Sequence, residues 1–76
     1  MSPKLPRIAA AELLRALKRD GWYEHHQVGS HLHLKHPTKA GRVVLPIHAG
    51  KLVKPGTLTG VLADAGLSID RLRDLL

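Results

Sequence analysis

The chain contains no cysteine, no phenylalanine, and only one tryptophan and one tyrosine among its 76 residues. Without cysteine there are no disulfides and no thiolate zinc sites, which suits a reducing cytoplasm. With Trp22 and Tyr23 as its only aromatics, adjacent and therefore pointing to opposite faces of a strand, the chain offers little for a base-stacking platform. Carboxylates are also scarce: six acidic residues face twelve Lys and Arg, a formal net charge of +6. No apolar run approaches the roughly 20 residues that span a bilayer. The basic N-terminus leads to Arg15, Lys18 and Arg19 in place of a signal peptide's apolar stretch. The expectation is a soluble, unprocessed, cytoplasmic chain without a membrane partner. At this length it should form one domain, residues 1–76, close to the lower limit for an unstapled apolar core.

The positive excess on so small a body attracts polyanions, and nucleic acid is the natural partner. Two other readings use the same field: a merely solubilising surface, and an interaction protein whose basic face receives an acidic partner.

No internal repeat, low-complexity tract or linker interrupts the chain, so one core is expected. Residues 9–20 read as an amphipathic helix with Leu13, Leu14 and Leu17 on one face, Glu12 in its first turn, Lys18 and Arg19 in its last, and Gly21 as its stop. Ala9 cannot cap that helix through its side chain, which predicts a frayed start. Residues 22–28 and 30–36 read as strands joined tightly through Gly29. In the second, Leu32 and Leu34 alternate with His31, His33 and Lys35, so the histidine face is the wet face. The phase of the first strand is ambiguous, because Glu24, His25 and His26 fit either face. A turn over residues 37–41 precedes a third strand over residues 42–47. Its Val43, Leu45 and Ile47 share the core side, and Pro46 marks an edge or a strand end. Pro55 opens a second helix with Leu58, Val61, Leu62 and Ala65 at core spacing and Gly66 closing it. Ser68 caps a final short turn whose Ile69, Leu72 and Leu75 cover either the core or a partner. The predicted class is α+β: helix, three antiparallel strands, helix, and a short C-terminal helical turn, with the helices on one sheet face.

The tripeptide Gly29-Ser30-His31 carries the densest chemistry. Gly29 lets the backbone bend, Ser30 offers a hydroxyl, and the His31 imidazole can give or take a proton near neutral pH. A second cluster lies around the start of the second helix. There Lys51, Lys54 and the free backbone N–H groups of Gly56 and Thr57 form a phosphate site on the positive end of the helix dipole. Leu52 and Val53 between them read as core entries. His25, His26 and His36 read as solvated or locally hydrogen-bonded side chains, whereas His48 stands near the Lys51 loop.

Several segments together resemble the HicA-type mRNA interferase toxins of bacterial and archaeal toxin–antitoxin pairs. They are Lys4-Leu5-Pro6-Arg7-Ile8, Asp20-Gly21-Trp22, Gln27-Val28-Gly29-Ser30-His31, His36-Pro37, the run from Val43 to His48, and Lys54-Pro55-Gly56-Thr57-Leu58. The resemblance implies a fold like a double-stranded RNA-binding domain, a metal-independent endoribonuclease acting on mRNA without a cofactor, and inhibition by a HicB-type antitoxin. The family's catalytic histidine falls on His31. The chain departs from the family at Ala9, where a capping Ser is frequent, at His26, where Arg is frequent, and at Ala49, where Gly is frequent.

Metal-free RNA cleavage uses the 2′-hydroxyl as internal nucleophile. The protein then has to deprotonate it, protonate the leaving 5′-oxygen and stabilise the charged phosphate. His31 is the expected proton-transfer residue, and His33, two residues along the same face, is the nearest second group. Lys35 or Lys54 is the expected electrostatic stabiliser. A zinc site built from His31, His33 and His48 is the minor alternative. The main rival to the nuclease reading is a non-catalytic double-stranded RNA-binding module, which needs the charge and the fold but not the imidazole.

Overall fold

The computed structural model of the protein describes residues 4–48 and 50–76. Leucines at helical spacing form α1 (Ala10–Arg19), which buries Leu13, Ala16 and Leu17. Its start is tied down rather than frayed. The Glu12 carboxylate accepts the Ala9 N–H at 3.1 Å, Ala9 bridges Leu52, and the Val53 N–H donates to the Ile8 carbonyl at 2.8 Å. Sheet-type contacts before the helix thus replace the missing side-chain cap.

Three strands follow in a meander, β1 (Tyr23–Val28), β2 (His31–Lys35) and β3 (Val43–Pro46), antiparallel and in the order β1-β2-β3. Gly29 and Ser30 form a two-residue hairpin loop in which Gly29 alone takes a positive φ of 58°. That Gly-X order is the one a type II′ loop requires, and no neighbouring atom would obstruct a Cβ there, so the glycine serves backbone conformation alone. Counting back from the loop, Val28 pairs with His31, Gln27 with Leu32 and His26 with His33. The register then shifts, Glu24 opposing Leu34 and His25 standing as the extra residue of a bulge. This bulge is why period-two reasoning could not fix the phase of β1.

Leu32, Leu34, Val43 and Leu45 form the sheet's contribution to the core, beneath α1, α2 (Pro55–Ala65) and α3 (Ile69–Leu75). Each fully buried leucine of this kind contributes about 1.5–3 kcal/mol relative to exposure. The helices cover β2 and β3 but not β1, whose six residues are all exposed. Ser68 caps α3 by accepting the Arg71 N–H at 3.0 Å. The stripe of Ile69, Leu72 and Leu75 lies against the protein's own core. α3 is further tethered to α1 by the Arg19 guanidinium, which donates to the Leu75 carbonyl at 2.6 Å. The fold is therefore α+β, as the sequence predicts, with the arrangement of a double-stranded RNA-binding domain.

One knot holds the far end together. Gly21 turns the chain out of α1 with φ 106°, and a Cβ there would sit 2.6 Å from the His36 ring. That ring donates from Nε2 to the Asp20 carbonyl at 2.7 Å, while its Nδ1 accepts the N–H groups of Thr38 and Lys39, both at 3.1 Å. The pattern selects the Nε2–H tautomer. Trp22 meets the same ring edge-on at 5.2 Å. Lys39 in turn reaches the Asp20 carboxylate at 2.6 Å and the Ala65 carbonyl at 2.9 Å. We expect His36→Ala to lower stability by about 2–3 kcal/mol, because it leaves three backbone groups without their partner. A drop in Tm of under about 4 °C would show the ring to be dispensable.

Candidate nucleic acid cleft

His31 opens β2 immediately after the hairpin loop and pairs with Val28 on one side and Pro46 on the other. Its side chain is exposed on the sheet face opposite the helices, as the alternation predicts. The Ser30 carbonyl accepts the Ile47 N–H at 2.7 Å and so locks the hairpin loop to the end of β3. At this corner lies an open cleft of about 450 Å³, with His31, His48, Lys51, Lys54 and Thr57 as its polar lining and Ala10, Pro46, Leu52 and Val53 as its walls. Two of the three helices begin here: Ala10 is the first residue of α1, and Lys54 is the N-cap of α2.

The Lys54 side chain makes no cap hydrogen bond and the first helical bond of α2 runs from Leu58 to Lys54. The N–H groups of Gly56 and Thr57 are therefore free of helical partners and lie at the positive end of the helix dipole. Val53 packs against the core, but Leu52 does not enter it: its side chain is half exposed and forms cleft wall, a correction to the sequence reading. Ala49, one of the departures from the family pattern, lies outside the described residues.

The structure thus gathers His31, Lys51, Lys54 and Thr57, drawn from β2, a loop and the start of α2. It adds His48, to which sequence reasoning gave no definite role, and it leaves His33 and Lys35 outside the cleft. His33 instead stacks on His26 from β1, ring centroids 4.4 Å apart and planes 9° apart, and His25 meets His26 edge-on at 5.1 Å. The two-residue loop was the signal that could have found this pair, since it alone fixes His26 opposite His33. Among the described residues no group of three or more His, Asp or Glu side chains is placed to hold a metal ion, so His31, His33 and His48 do not form a ligand set.

Desolvation within this cluster pushes the His33 imidazole below its ordinary value, with His26 and Arg42 as the next causes. The Lys35 ammonium does the same to His25, ahead of desolvation and His26. Both rings therefore bind fewer protons in the folded state than in the unfolded one across the histidine range. Stability is full above the unfolded value near pH 6.5 and is lost as pH falls through it towards the depressed folded values. Tm should accordingly fall between pH 7.5 and 5.5, and fall less in a His25→Gln/His33→Gln protein; an undiminished fall in that variant refutes the assignment.

No curated protein matches the chain. The family model described as "HicA toxin of bacterial toxin-antitoxin" matches residues 10–67, well over half of the chain. The matched span runs from the first residue of α1 through the sheet, the cleft and all of α2, and ends one residue before the α3 cap. Among the described residues, no helix is long and apolar enough to cross a membrane. The family match covers well over half of the chain, and every polar cleft residue lies within it: the chain belongs to the HicA toxin family of bacterial toxin–antitoxin systems.

Proposed function

We propose that this toxin is a metal-independent endoribonuclease that cleaves mRNA at the cleft, with His31 as its proton-transfer residue. The observation that carries the reading is the placement of His31 on the wall of a cleft that also holds Lys51, Lys54 and the amino end of α2. A scissile phosphate seated on Lys51, Lys54 and the Gly56 and Thr57 amides brings its ribose beside the His31 imidazole. The imidazole removes the 2′-hydroxyl proton, the 2′-oxygen bonds to phosphorus, and the bond to the 5′-oxygen breaks. A 2′,3′-cyclic phosphate and a free 5′-hydroxyl result, the latter taking its proton from solvent, to which the His31 imidazolium returns the proton it removed. The two lysines and the amides meet the charge that grows on the phosphate oxygens. His48, which lines the same cleft, is better placed to support this step than His33, which does not. The Ser30 hydroxyl makes no hydrogen bond among the described residues, and the support this residue gives runs through its carbonyl.

His31→Ala should reduce cleavage about 10²- to 10⁴-fold while leaving RNA affinity within a few-fold. Lys51→Ala/Lys54→Ala should weaken binding across sequences and flatten its salt dependence by about one to two units of slope. Activity of the wild-type protein should persist in EDTA. RNA binding without cleavage by the wild-type protein under those conditions would replace the nuclease reading with that of a non-catalytic double-stranded RNA-binding module.

A HicB-type antitoxin is the proposed inhibitor. A protein interface of ordinary size buries about 800 Å² per partner, enough to cover much of one face of a body whose longest extent is 37 Å. An acidic partner is drawn to the same lysines that attract RNA. Because α3 closes the protein's own core, its apolar stripe is not available as a contact, and the cleft rim becomes the proposed footprint. Saturating antitoxin should abolish RNA binding by the His31→Ala protein. Unchanged affinity in that assay would show inhibition by distortion rather than occlusion.

A further inference from the structure

The face of the sheet turned away from the helices has a chemistry of one kind. From β1 it presents Tyr23, His26 and Val28, from β2 His31, His33 and Lys35, and from β3 Val44 and Pro46, as the cross-strand pairs require. His25, the bulge residue, and Arg42, just before β3, lie close enough to the cluster to act on its imidazoles electrostatically. Glu24, the only acidic residue in the three strands, opposes Leu34 on the other face and is paired with Lys18 of α1 at 2.6 Å. The open face is thus free of carboxylate, is cationic at Lys35 and Arg42, and carries a ring stack at its centre. His31 belongs to both this face and the cleft, so the two surfaces are continuous.

We propose that single-stranded RNA leaves the cleft past His31 and crosses this open sheet face, with a base laid on the His26–His33 stack and phosphates held by Lys35 and Arg42. The inference rests on the nuclease reading and deepens it, since it names the strandedness of the substrate and the path it follows. A paired base hides both of its faces within the duplex, whereas an unpaired one can extend a stack that the protein has already begun. His26 supplies the more accessible ring, its side chain being exposed, while His33, stacked beside it from the next strand, is half buried with an Nδ1 that has no partner among the described residues. With desolvation holding the His33 ring towards its neutral form, the stack offers a π-face and the flanking Lys35 and Arg42 supply the charge. The scarcity of Trp, Tyr and Phe is consistent with this, because the stacking groups are imidazoles.

The test is equilibrium binding of the full chain to a short labelled single strand with 2′-O-methyl ribose throughout, which lacks the internal nucleophile and stays intact, beside a hairpin duplex of the same chemistry. His26→Ala/His33→Ala should lose about tenfold in affinity for the single strand and less than twofold for the duplex. His26→Tyr, which keeps a flat ring, should stay within twofold of wild type on both. Lys35→Ala/Arg42→Ala should lower the single-strand salt slope by about 1.4 units. Equal losses on the two ligands, no loss on the single strand, or a loss in His26→Tyr as large as in His26→Ala overturns the path. His26→Ala alone gives the same discrimination if the double variant fails to fold, since the His26 side chain lies outside the core. Cleavage by wild type and its loss in His31→Ala address the nuclease reading alone, so the two readings fail separately.

Discussion

Everything in this structure depends on the fact that the sheet is covered on one face only. The apolar side chains of α1, α2 and α3 meet Leu32, Leu34, Val43 and Leu45, and the core closes there. Successive strand residues point to opposite faces, so burying Leu32 and Leu34 forces His31, His33 and Lys35 outward. A one-residue slip of β2 would place two histidines in the core and two leucines in water, which makes the register costly to change. The exposed position of His31 is thus a by-product of hydrophobic burial, and the chemistry of the site is built on a constraint that belongs to stability.

The segments that carry the family resemblance divide by what they touch. Asp20, Gly21, Trp22 and His36 make a structural knot in which one imidazole joins the end of α1 to the turn after β2, and Lys39 extends it to the end of α2. Gly29-Ser30-His31 and the Lys54 to Leu58 segment instead converge on the cleft from opposite directions, the former through the hairpin loop and the latter through the first turn of α2. Each group of residues therefore has its own physical reason. The knot satisfies backbone donors and acceptors at a helix end, whereas the cleft leaves such groups free to meet an anion.

Legibility in the sequence followed the same division. The element order, the inward leucines, the outward His31 and the tight loop at Gly29 all follow from periodicity and local backbone preference, which act over a few residues. The start of α1 did not, because the partners of Ala9 and Ile8 are Leu52 and Val53, more than forty positions away. The side of β1 on which His26 lies was obscured by the bulge at His25, since a single extra residue inverts a period-two pattern. Leu52 reads as core by hydropathy yet forms cleft wall, because its backbone is engaged in the bridge to Ala9.

The sequence alone determined the class of fold, the net positive charge and which residues carry proton-transfer or anion-binding chemistry. Charge and side-chain type are fixed by composition, and helix or strand by short-range sterics and hydrophobic period. Only the tertiary structure decided which of those residues stand together. It joined His31 to His48, Lys51 and Lys54 at the amino end of α2, and joined His33 to His26 across the hairpin, leaving Lys35 on the open face. These groupings arise where one end of the sheet meets the starts of two helices and where a bulge resets the pairing of two strands. Such contacts are set by the packing of distant segments against a shared core, which no local pattern encodes.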